Sequence, residues 1–132
     1  MNSSVGQKLS KVSEVDGRPF IAGAFAPASG AQIHCHNPAT GQVAFTYTGC
    51  SGAEVDAAVA AARKVQDEVW SEFSPGGRKR LLMAFADAIM ASSDALAGLD
   101  SLDIGKPLGA ATGEVAIAAG FIRYYAEAID KI

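Results

Sequence analysis

A chain of 132 residues can bury one modest core, and 49% hydrophobic with 19% charged residues is the balance of a globular protein, not a disordered one. A formal net charge of -3 supplies no general attraction to phosphate backbones, so no nucleic-acid partner is expected. The first sixteen residues are polar and lack the apolar run of a signal peptide or membrane span; they read as a mobile leader on a cytoplasmic protein with no membrane partner, with 17–132 as the folded part.

From Arg18 to Tyr47 short apolar runs alternate with turn formers, the pattern of β-hairpins. Phe20-Ile21-Ala22 is followed by Pro27-Ala28-Ser29-Gly30, then Gln32 to His36, then Asn37-Pro38-Ala39-Thr40-Gly41, then Val43 to Tyr47. Pro38 fixes its own φ and turns Asn37 away from helix, while Gly41 tolerates positive φ, so this pentapeptide predicts a tight turn.

After Gly49 the period becomes helical. Ser51 and Glu54 form a capping-box pattern, and Val55, Val59, Ala62 and Val65 mark an apolar stripe reaching to about Trp70. Ser74 as N-cap and Pro75 at the first helical position begin a second helix, with Leu81, Leu82, Phe85 and Ile89 toward a core. A third starts near Ser93-Asp94, carries Leu96, Leu99 and Leu102 on one side, and stops at Gly105 before Pro107. The last helix, from about Leu108 to Ile132, has two stripes: Val115, Ala118, Ile122, Tyr125 and Ile129, and Ile117, Phe121, Tyr124 and Ala128. Two apolar sides need two covers, and the preceding elements suffice for one. The chain reaches Ile132 without a stop signal, so it reads as part of something larger.

Among groups that could carry chemistry, His34-Cys35-His36 offers zinc-type ligands. In a strand the two imidazoles face one side and the thiol the other, so they cannot converge, and ordinary strand residues are the better reading. Cys35 and Cys50, in a sequence without secretory features, are expected as thiols rather than a disulfide. Cys50 precedes the cap Ser51 and so lies near a helix dipole, without a base placed to activate it. The Gly105-Lys106-Pro107 run lacks the strand and following helix of a phosphate loop, which leaves Gly105 as a helix C-cap and Lys106 as a surface cation near the negative helix end. Arg78-Lys79-Arg80 reads as a solvated basic face.

Four motifs in fixed order, Asn37-Pro38-Ala39-Thr40-Gly41, Ser74-Pro75-Gly76-Gly77-Arg78, Leu102-Asp103-Ile104-Gly105-Lys106-Pro107 and Arg123-Tyr124-Tyr125-Ala126 running to Asp130-Lys131-Ile132, resemble the N-terminal portion of the NAD(P)-dependent aldehyde dehydrogenases. The ending is most similar to the branch acting on γ-glutamyl-γ-aminobutyraldehyde. The resemblance implies an α/β parent with a Rossmann-like coenzyme domain, of which 17–132 would be an incomplete N-terminal part: α+β by itself, with β-hairpins followed by about four helices. It implies a parent that oxidises an aldehyde with NAD or NADP and assembles as a homo-oligomer. The family's cysteine nucleophile, general-base glutamate, oxyanion-hole asparagine and coenzyme-binding glycines and lysine all fall beyond position 132, so the chain alone is expected to be inactive scaffold with no bound cofactor. Some members hold a monovalent cation, which the resemblance assigns here to the backbone oxygens of Cys35 and His36 with the carboxylate of Asp103; Cys35 departs from the commoner Thr. The alternative is a stand-alone helical interaction module that docks a partner on its last helix.

Overall fold

The computed structural model describes residues 16–131, so the expected leader, Asp16 apart, lies outside the described residues. These divide into two units, Asp16–Glu72 and the residues from 73 onward.

The first unit opens with β1 (Phe20–Ile21) and β2 (Ala24–Phe25), antiparallel, with Phe20 opposite Phe25 and their rings edge to face at 5.2 Å. Their two-residue turn is Ala22-Gly23, both at positive φ (52° and 84°). That is the mirror-image turn geometry a tight hairpin requires, here with an alanine in a conformation costly for a residue bearing a Cβ. The expected turn at Pro27–Gly30 is instead the connection to the second hairpin, where the Gly30 N–H donates to the Gly49 carbonyl at 2.8 Å. A Cβ on Gly30 would lie 2.6 Å from that same oxygen, so only glycine allows the approach.

Strands β3 (Gln32–His36) and β4 (Val43–Thr48) pair antiparallel, with Cys35 opposite Phe45 and His34 opposite Thr46. Alternation separates Gln32, His34, Thr46 and Thr48 from Ile33, Cys35, Phe45 and Tyr47. The polar face is tied by Gln32 Nε2 donating to Thr48 Oγ1 and by His34 Nδ1 meeting Thr46 Oγ1, each at 2.8 Å. Between Cys35 and His36 the register slips, and His36 lies opposite Val43. Asn37-Pro-Ala-Thr-Gly closes the hairpin as expected: Gly41 has φ 69°, its N–H donates to the Asn37 carbonyl, and the Asn37 side-chain oxygen accepts from the Ala39 N–H.

Helix α1 (Gly52–Val65) runs into a π-helical turn over Gln66–Trp70, where the Ser71 N–H reaches back five residues to the Gln66 carbonyl at 3.0 Å. Val55, Val59 and Val65, the expected core stripe, are exposed.

The second unit consists of α2 (Pro75–Ala91), α3 (Ser93–Ile104) and α4 (Leu108–Ala128), with α4 packed on both of the others. Ser74 Oγ accepts from the Gly77 N–H at 3.1 Å with Pro75 just inside, and Gly105 stops α3 in the left-handed region at φ 73°. Helix α4 ends at Ala128, short of the expected Ile132, and turns through Asp130 and Lys131.

The buried residues of this unit are small: Gly77 and Ala86 on α2, Ala97 and Gly98 on α3, and Ala111, Ala119 and Ala126 on α4. With Val115, Ile122 and Ile129 half-buried between them, the packed face of α4 follows a 3-4 spacing built on alanine. Small side chains let helix axes approach closely, so the core is a set of backbone-near contacts flanked by half-buried aliphatics. Leu81 and Phe85, expected inside, are 49% and 55% exposed, because α2 turns Leu82, Ala86 and Ile89 inward instead. Of the second α4 stripe, Ile117, Phe121 and Tyr124 face outward, 59%, 62% and 67% exposed, while Ala128 is half-buried; Ala118 and Tyr125, expected on the first stripe, are exposed as well.

Candidate functional site

The residues assigned to a cation are distributed over both units. Cys35 is half-buried on β3, His36 follows it at the register slip, and Asp103 is an exposed residue in the last turn of α3. Each is where the sequence placed it on its own element; the first two belong to one unit and Asp103 to the other. Among the described residues, no three His, Cys, Asp or Glu side chains gather as a metal cluster. Cys50 is exposed directly before the α1 cap, and the two cysteines are not joined in a disulfide.

The polar constellations the structure does bring together hold elements in place. In the first unit, Ser51 and Glu54 form the expected capping box, each side chain accepting from the other's backbone N–H. Ser29, twenty-five residues earlier in sequence than Glu54, donates to the same carboxylate at 2.5 Å, and Ser51 Oγ donates to it at 2.7 Å. The carboxylate therefore accepts from two hydroxyls and a backbone N–H, with Ser29 contributing most, and its pKa is lowered to about 2. This contact pins the Pro27–Gly30 connection to the start of α1.

In the second unit, Lys79, Lys106 and Arg123 each join two segments through a carboxylate, while Lys131 pairs locally with Glu127 and Asp130. Lys106 is the anchor at the α3–α4 elbow: Nζ meets Asp100 Oδ2 at 2.8 Å and also the Glu114 carboxylate on α4. Asp100 first, then Glu114, raise its pKa. The expected surface cation near a helix terminus is thus a half-buried clamp between two helices. Lys79 pairs with Glu127 at 2.6 Å and Arg123 with Asp87 at 2.8 Å, which sets α2 and α4 antiparallel. Glu127 raises the pKa of Lys79. The basic triplet is accordingly not one solvated face: Lys79 is engaged, Arg78 is half-buried and Arg80 is exposed.

An apolar groove of about 470 Å³ lies within the first unit, between the β1–β2 hairpin and α1, lined by Phe20, Ile21, Ala62, Val65, Gln66 and Trp70 among others. No single helix among the described residues is long and apolar enough to cross a membrane.

Small hairpins followed by four helices, closed by Asn-Pro and Gly-Lys-Pro turns, match the N-terminal part of aldehyde dehydrogenase structures. Residues 25–132 match the aldehyde dehydrogenase family, and the chain belongs to that family. It is 42% identical over 116 residues to the DhaS protein of Bacillus subtilis (strain 168), covering 86% of this chain and 23% of that protein. It is 40% identical over 114 residues to NAD(P)+ aldehyde dehydrogenase 2 of Saccharomyces cerevisiae, covering 85% of this chain and 22% of the relative. The crystal structure of γ-glutamyl-γ-aminobutyraldehyde dehydrogenase from Burkholderia cenocepacia J2315 superposes with a TM-score of 0.86 at 38% identity, over 97% of this chain and 27% of that one. The chain thus spans about a quarter of the length of the relatives it matches.

Proposed function

We propose that this chain is a scaffold segment of the coenzyme domain of an enzyme that oxidises an aldehyde to a carboxylic acid with NAD(P)+. The observation that supports this best is the superposition of 97% of the chain on 27% of a Burkholderia aldehyde dehydrogenase. The segment's own chemistry agrees with such a role. Glu54, Lys106, Lys79 and Arg123 are engaged in the α1 cap, the α3–α4 elbow and the α2–α4 seam. The nucleophile and general base that the family resemblance calls for belong to positions beyond Ile132. The parent is a cytoplasmic homo-oligomer in this reading, and its substrate is an aminoaldehyde of the γ-glutamyl-γ-aminobutyraldehyde type. Similarity to the Burkholderia enzyme and the Arg123-Tyr124-Tyr125-Ala126 ending support that substrate class.

The outward face of α4, with Ile117, Phe121 and Tyr124, is the observation that favours the second reading, a stand-alone interaction module. Calorimetric titration of the purified 132-residue chain with NAD+ and NADP+ tests the scaffold role. No heat of binding is expected, because a dinucleotide needs a glycine-rich turn at a helix N-terminus that the segment does not carry. Saturable binding of either nucleotide would place coenzyme recognition in this segment and overturn the scaffold reading.

A further inference from the structure

We draw no further inference here: the strongest candidate, the apolar groove between the β1–β2 hairpin and α1 lined by Phe20, Val65 and Trp70, carries nothing because no feature of the structure shows what covers it.

Discussion

Glu54 is the residue whose protonation matters most to the first unit. Its folded-state pKa of about 2 lies below the ordinary 4.5, so its contribution is fully present above about pH 4.5 and is lost as the pH falls toward 2. Unfolding midpoints of the native chain and of Glu54→Gln, compared from neutral pH downward, should differ most at neutrality and converge across that window. A gap that stays constant down to pH 2 would show that the carboxylate's charge contributes nothing. The Ser51–Glu54 half of this contact is legible in the sequence, since a capping box is a three-residue spacing beside an apolar run. Ser29 is not, because a partner twenty-five residues away leaves no local pattern. The partners of Lys106, one on the helix before it and one on the helix after it, are hidden as well, because they depend on how the two helices meet at the elbow. The expectation of a cation set at Asp103, Cys35 and His36 comes from family resemblance alone, as nothing in their spacing joins them.

At the scale of elements, helix boundaries follow from the sequence wherever a cap or breaker marks them: Ser51, Ser74, Gly105 and Pro107 all sit at the observed ends. Buried faces are harder to read. Large apolar residues draw the eye to Leu81, Phe85 and Phe121, whereas the contacts that set the helix spacing are made by Ala86, Ala111, Ala119 and Ala126. Alanine is both a strong helix former and a small core residue, so its presence in a helix does not reveal its side. The turn at Ala22-Gly23 escapes prediction for a related reason, as alanine rarely takes positive φ. Two substitutions separate the faces of α4. Ala119→Leu, at a fully buried position, should cost about 1–3 kcal/mol by overpacking. Ala118→Leu, one residue away and exposed, should stay within about 0.5 kcal/mol of the native chain. Chemical denaturation of both variants measures this, and equal costs would contradict the assignment of the packed face.

For the whole molecule, the outward stripe of α4 is the feature an isolated chain would find hardest to keep in water. Covering each such large apolar side chain gains roughly 1.5–3 kcal/mol, so three in a row form a site for association. The purified chain is expected to self-associate and to bind a hydrophobic dye, and Phe121→Glu should reduce both, as read by light scattering and dye fluorescence. A monodisperse chain with a sharp cooperative melt and no dye binding would contradict this expectation and show that the segment is stable as a domain by itself. The central claim, that this family segment is scaffold and holds no reaction centre, is tested most directly by aldehyde turnover. With γ-glutamyl-γ-aminobutyraldehyde and either NAD+ or NADP+, the purified chain should produce no reduced nicotinamide above the protein-free rate. Turnover that persists through purification and disappears in Cys35→Ala or Cys50→Ala would contradict it.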